Sequence, residues 1–303
     1  MTSSTPLALP VDPSAAKGIL LMVVAMGLLA SMDAAAKTLV QDYSVWQVIF
    51  VRHTLLLLAC LAWLGPRTVV ASLRSRRPVL QLVRVTALIT EIGLVLWSFR
   101  FLPLADVHAV LAVAPLFVTA LAFWILAEPV GIRRWAAVAV GFLGVLLIIR
   151  PGLGVFQPAS LVVLFAAFLW ATYQVVTRLV SRDDPSETTF LYLVLAGCIL
   201  PGLVMPWVWQ TPADTQALTL FLVVSVLGAA GHLCLLLALA AAPASTLQPF
   251  TYTLLVWAAV WGFVVFAEVP DLFTCVGASI VVLSGLYTWH RERKRALHRG
   301  RAG

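Results

Sequence analysis

Residues 103–128 read PLADVHAVLAVAPLFVTALAFWILAE, and residues 243–268, displaced by 140 positions, read PASTLQPFTYTLLVWAAVWGFVVFAE. Each begins on a proline (Pro103, Pro243), carries a second proline inside an apolar run (Pro115, Pro249) and closes on Ala-Glu. An apolar run of about 20 residues, rising about 1.5 Å per helical residue, crosses a hydrocarbon core of ~30 Å. Both stretches therefore read as membrane-spanning helices, and their likeness reads as an internal repeat. The same displacement brings Leu39-Val40 onto Leu179-Val180.

Working outward, apolar runs fill the chain at 17–39, 46–64, 79–99, 105–127 and 134–150, and again at 159–180, 188–208, 217–240, 245–267 and 271–289. The expected architecture is an all-α membrane protein of ten transmembrane helices, built from repeats over 17–152 and 153–290. Five spans per repeat is an odd number, so the second repeat enters the membrane inverted. A Pro- and Ser-rich disordered tail (1–16) and a basic tail (291–303) flank them. Short connections suggest that consecutive spans pack as antiparallel neighbours.

Composition agrees. The 303 residues are 62% hydrophobic and 11% charged, with mean hydropathy +1.01, whereas soluble domains carry about 25% charge. A soluble enzyme is excluded. The sequence pI of 9.7 comes from Lys and Arg at span ends, which favours the bilayer as partner over nucleic acid. Lys17, Arg67, Arg74, Arg76, Arg77, Arg133, Arg134, Arg178, Arg182 and the basic tail fall on one face, and only Arg100 and Arg150 on the other. The positive-inside rule then places both termini in the cytoplasm. Cys60, Cys198, Cys234 and Cys275 are isolated, giving neither a zinc spacing nor a disulfide framework. No GxxxxGK[ST], HExxH or GxSxG motif is present, so no metal, cofactor, ATP-driven step or hydrolytic activity is expected.

Four segments carry a resemblance to a known family. LAVAPLFVTALAFWILAEPVGIRRWAAVAVGFLGVLLIIRPG (111–152) and LQPFTYTLLVWAAVWGFVVFAEVPDLFTCVGASIVVLSGLY (247–287) resemble the later part of an EamA repeat of the drug/metabolite transporter superfamily. Their shared features are Glu128 and Glu268, followed by Gly141 and Gly144 in one half and Gly277 and Gly285 in the other. LLASMDAAAKTLV (28–40) and FVRHTL (50–55) resemble a bacterial branch. One departure is Ala137, where the family often has glycine. The resemblance implies a secondary transporter of the bacterial inner membrane with a substrate cavity between the halves. It also implies a substrate among amino acids, aromatic ones included and exported, or a larger metabolite such as S-adenosylmethionine or riboflavin taken up. An intramembrane enzyme or a channel is the reading from another class.

Charged side chains inside a bilayer cost roughly 2.5–3.5 kcal/mol each, so each needs a reason. Asp33, Lys37, Arg52 and Glu91 are such residues. Asp33 and Lys37, four apart on one helix, either neutralise each other or serve a substrate. Counted from span ends at ~1.5 Å per residue, Asp33 and Arg52 lie roughly 9 Å deep and Glu91 about 12 Å, so three spans bring charge to a similar depth. Arg52 could grip a carboxylate and Asp33 or Glu91 an ammonium, which suits an amino acid or similar zwitterion. Glu91 is also placed to exchange a proton as coupling ion.

His108 opens the fourth span and His232 lies deep in the eighth; each either lines the cavity or makes one satisfied hydrogen bond. Trp97, Trp170, Tyr173, Gln174, Gln248, Tyr252 and Trp257 mix aromatic faces with polar groups, as a small-molecule pocket does, or pack the core. Arg84 reads as snorkelling to the interface, and Glu128 and Glu268 as architectural. Pro103, Pro115, Pro243 and Pro249 mark the fourth and ninth spans as gating elements. The carrier is expected to be a monomer or a homodimer.

Overall fold

A computed structural model describes residues 13–71, 73–125, 131–150, 157–242 and 244–299, and every regular element among them is a helix. The first half contains α1 (Pro13–Asp42), α2 (Val45–Leu64), α3 (Pro66–Ala71), α4 (Pro78–Ser98), α5 (Leu104–Leu111), α6 (Ala114–Ile125) and α7 (Ile132–Ile149). The second contains α8 (Ala159–Val180), α9 (Ser186–Gly202), α10 (Met205–Val208), α11 (Thr215–Ala241), α12 (Ala244–Thr251), α13 (Thr253–Phe266) and α14 (Leu272–Arg299). Among the described residues, eight stretches are long and apolar enough to cross a membrane, and the shorter apolar helices Trp135–Ile149 and Ser186–Gly202 complete ten spans as two inverted five-helix repeats.

Both ends of the chain differ from expectation. α1 starts at Pro13, inside the segment read as tail; a proline in the first turn gives up no helical hydrogen bond. α14 continues to Arg299, through the basic run, because Arg, Glu, Lys, Ala and Leu are strong helix formers.

The fourth and ninth spans are each broken in two. Ala112 and Val113 separate α5 from α6, and Tyr252 separates α12 from α13. Pro115 stands just after the first break and Pro249 just before the second, each removing one backbone donor from the helical ladder. The prolines are not equivalent under the 140-residue displacement, but the breaks are, since Ala112 maps onto Tyr252. Broken spans at matching positions are a recurrent feature of inverted-repeat carriers. Pro103 precedes α5 in an extended conformation, with φ −56° and ψ 146°. Pro243 lies outside the described residues.

Packing overturns the expectation of consecutive neighbours, because the extensive interfaces join the two halves. α1 lies along α11, and its counterpart α8 lies along α4; α1 also meets α12 and α13, as α8 meets α5 and α6. α2 pairs with α9 and α7 with α14, each with its own counterpart. A short loop ties only helix ends together, whereas burial follows where backbones can approach. At α7–α14 a Cβ on Gly277 would stand 2.6 Å from the Gly144 carbonyl oxygen, and one on Gly144 2.8 Å from that of Gly277. The counterpart contact is present too: Ser284 Oγ donates to the Ala137 carbonyl at 2.8 Å. Small residues similarly let α1 approach α11, where a Cβ on Gly228 would reach Met32 Sδ at 2.9 Å and one on Gly231 would meet Leu29.

Candidate functional site

Five helices bring ionisable groups together between the halves. Arg52 on α2 interacts electrostatically with Asp33 on α1 and Glu91 on α4, and its Nη1 lies 3.6 Å from Met32 Sδ. Glu91 is 8% exposed. Asp33 Oδ2 lies 3.2 Å from Nε2 of His108 on α5, a contact outside hydrogen-bond alignment that leaves Nε2 without a hydrogen-bond partner. His232 on α11 faces the same charges, Arg52 and Asp33, with its Nδ1 2.8 Å from the Gly228 carbonyl. His53 is buried, its Nδ1 2.8 Å from the Ile49 carbonyl, and its ring occupies the space left by Gly197 on α9.

Two of the expected site residues, His232 and Trp170, keep exposure on packed helix faces. His232 sits one turn after the buried Gly228 and next to the buried Gly231, yet is itself exposed. Trp170 follows the fully buried Ala166 and Ala167 by one turn and is 37% exposed. A residue on a packed face that retains exposure looks into a gap between helices. Trp170 also stacks on Tyr173, with centroids 5.4 Å apart, and Gln174 is half-buried one turn further along.

Other expected site residues lie elsewhere. Lys37 does not pair with Asp33; its ammonium donates to Glu268 Oε1 at 2.5 Å and to the Leu102 carbonyl at 2.8 Å. Arg84 does not snorkel. It is 1% exposed, lies 5.2 Å over the Tyr173 ring, and donates to Gln81 Oε1 and the Thr189 carbonyl. Tyr173 is thus occupied on one face by a guanidinium. Tyr252 fills the break in the ninth span with its hydroxyl against Gly285, where a Cβ would collide with it. Trp257 rests its indole edge on Gly27, and Trp97 packs at a tilt against Phe101 near the end of α4. The side chain of Gln248 lies outside the described residues, as does Glu128.

Glu268 has a larger part than its sequence position suggested. α13 ends with Ala267 in the left-handed region at φ 54°, and the Glu268 N–H donates to the Gly262 carbonyl at 2.9 Å, which turns the chain sharply. The carboxylate then reaches Lys37 and accepts from the Leu104 N–H at the start of α5. Arg150 likewise ends α7 in the left-handed region and pairs with Asp271. That hydrogen bond holds the Asp271 carboxyl below the usual range.

The loops at the two membrane faces carry different hydrogen bonds around α2 and α9. On the face opposite the termini, Gln47 Nε2 donates to the Gln210 carbonyl at 2.6 Å, the Gln210 N–H donates back, and the Ala213 N–H donates to the Tyr43 hydroxyl. On the terminus face, Asp184 accepts from Ser75 Oγ, from the Arg76 N–H at 2.7 Å and from Gln81 Nε2 at 3.0 Å, beside an Arg77–Asp183 pair. Burial alone would raise the Asp184 pKa, but the hydrogen bonds outweigh it and hold the carboxyl below its ordinary value. A lowered native pKa contributes stability above the unfolded carboxylate pKa of ~3.9, lost as pH falls through the native value. Asp184→Asn is therefore expected to lower stability by about 2 kcal/mol at pH 7. In thermal melts the gap from wild type should close as pH falls below about 4; a gap independent of pH would refute the carboxylate's role.

Comparison with known proteins follows the same division of the chain. Residues 16–150 and 157–288 each match the EamA-like transporter family. A riboflavin transporter of Vibrio cholerae is 31% identical over 250 residues, covering 82% of this chain and 84% of that one. An S-adenosylmethionine uptake transporter of Rickettsia felis is 27% identical over 74% of this chain and 76% of its own. The pseudopaline exporter CntI of Pseudomonas aeruginosa is 26% identical over 88% of this chain and 94% of its own. A protein of known crystal structure superposes with TM-score 0.60 at 17% identity, over 93% of this chain and 99% of that one.

Proposed function

Because the chain belongs to the EamA-like transporter family, we propose that it is a secondary carrier for a small zwitterionic metabolite: an amino acid, or a compound bearing an amino-acid group such as S-adenosylmethionine. The observation that carries this reading is Arg52 in the interior, interacting electrostatically with both Asp33 and Glu91. A guanidinium takes a carboxylate through two parallel hydrogen bonds, and a carboxylate nearby suits an ammonium. Trp170 and His232, which border open space, are positioned to meet the rest of the molecule. The bound molecule passes through chemically unchanged, as the two halves rock between alternative openings about the broken spans.

We place both termini in the cytoplasm of a bacterial inner membrane, from the Lys and Arg distribution. Names among the relatives cover both uptake and export, and in a secondary carrier the gradients set the net direction. A proton exchanged at Glu91 is our proposed route for coupling.

A second reading, riboflavin, draws on the 31%-identical relative and on the flat Trp170–Tyr173 stack. Uptake into proteoliposomes separates the two. With radiolabelled S-adenosylmethionine, a panel of amino acids and riboflavin, the zwitterion reading predicts saturable flux and counterflow for one of the first two classes. Flux of riboflavin alone would transfer the assignment to the second reading, and non-saturable flux would mean a channel.

A further inference from the structure

A histidine 3.2 Å from a carboxylate has a hydrogen bond within reach, and His108 does not make it. Its Nε2 faces Asp33 Oδ2 at that distance but out of alignment. Nε2 is left without a hydrogen-bond partner, although the residue is only 5% exposed. The imidazole is packed in place, its ring 6.1 Å from that of the buried Phe99. Among the described residues the Asp33 carboxylate accepts no hydrogen bond either, and 15% of its side chain is accessible. Lys37, one turn away on α1, is committed to Glu268 and the Leu102 carbonyl.

Buried polar groups normally find partners, and a pair of them side by side without one needs an explanation. A neutral imidazole carries its proton on one ring nitrogen and a lone pair on the other. With the proton on Nδ1, Nε2 and Oδ2 are two acceptors facing the same space. A cation with at least two N–H groups satisfies both at once. A primary ammonium has three such donors and a quaternary ammonium has none.

We propose that Asp33 and His108 together form the ammonium subsite of the carrier, which takes a primary amine and rejects one whose nitrogen is fully alkylated. The inference rests on the zwitterion reading above and narrows it. Arg52 holds the carboxylate, Asp33 supplies the counter-charge to the ammonium, and His108 reads its N–H groups. The placement also links occupancy to a broken span. His108 lies in the last turn of α5, and its carbonyl accepts the Ala112 N–H at the break, at 3.0 Å. An ammonium shared by Asp33 and His108 therefore joins the first span to the half-helix that precedes the break.

The test is a methylation series. Uptake of radiolabelled S-adenosylmethionine and of the amino-acid panel is measured first in proteoliposomes. The N-methyl, N,N-dimethyl and N,N,N-trimethyl derivatives of the compound carried then compete against it. The monomethyl derivative keeps two N–H groups and should compete within about threefold of the parent. The dimethyl derivative keeps one and should be about tenfold weaker, and the trimethyl derivative about a hundredfold weaker, as hydrogen bonds to a charged group are lost. His108→Phe, which keeps a ring against Phe99, should weaken the parent about tenfold and bring it level with the dimethyl derivative. His108→Gln should restore the step, because its side-chain oxygen can accept in place of Nε2. A role in packing alone would weaken every competitor alike and leave the step intact. The series in the wild type does not depend on any variant folding. Equal competition by the parent and its trimethyl derivative, or a step that survives in His108→Phe, would overturn the subsite. Absence of saturable flux for every probe is a different result, which removes the zwitterion reading and the subsite with it.

Discussion

Arg52→Ala is expected to abolish transport, with less than about 1% of wild-type flux, while Arg52→Lys retains flux at a half-saturation concentration raised about tenfold. A lysine keeps the charge that Asp33 and Glu91 face, but loses the planar fork that grips a carboxylate at two points, a difference of roughly 1.4 kcal/mol. Alanine removes the charge as well and leaves two carboxylates facing each other across an apolar interior. Initial rates in proteoliposomes at matched protein content measure both effects. Wild-type kinetics in both variants would make the Asp33–Arg52–Glu91 group a structural network rather than a binding site.

Glu268→Ala is expected to cost about 3–5 kcal/mol of stability, because it strands Lys37, 5% exposed, without its counter-charge. The same change frees the Leu104 N–H at the start of α5. Glu268→Gln should fall between the two, since its side-chain oxygen can still accept from Leu104. Thermal melts of purified protein should rank wild type above Glu268→Gln above Glu268→Ala. A melt for Glu268→Ala within a degree of wild type would show that Lys37 finds another partner at no cost.

Much of the candidate site was legible because a charge in an apolar run stands out against its surroundings. Asp33, Arg52 and Glu91 were singled out on that ground, and Arg52 interacts electrostatically with both carboxylates. The same signal marked His53, which lies next to Arg52 and was not singled out. Lys37 was singled out with Asp33 or a substrate as its alternatives, and neither is its partner here: helical spacing favours a neighbour four residues away, while the left-handed turn at Ala267 delivers a carboxylate 231 residues away. Arg84 was misjudged for a similar reason. Snorkelling is the default for an arginine near a span end, yet Gln81, Thr189 and Tyr173 together satisfy it inside the bundle.

The sequence by itself determined the membrane environment, ten spans, the two-fold repeat and the inverted sense of its second half. These follow from run length, composition and a constant displacement, all of which are properties of the chain in one dimension. It also marked the residues whose burial demands compensation. Only the tertiary structure decided which helices touch, because short loops fix the order of helices but not their contacts. Backbone approach at Gly144 and Gly277, and at Gly228 and Gly231, sets those contacts. The structure alone also decided how the buried Lys37 and Arg84 are compensated. Those outcomes depend on the meeting of side chains from opposite halves, and no spacing along the chain encodes that meeting.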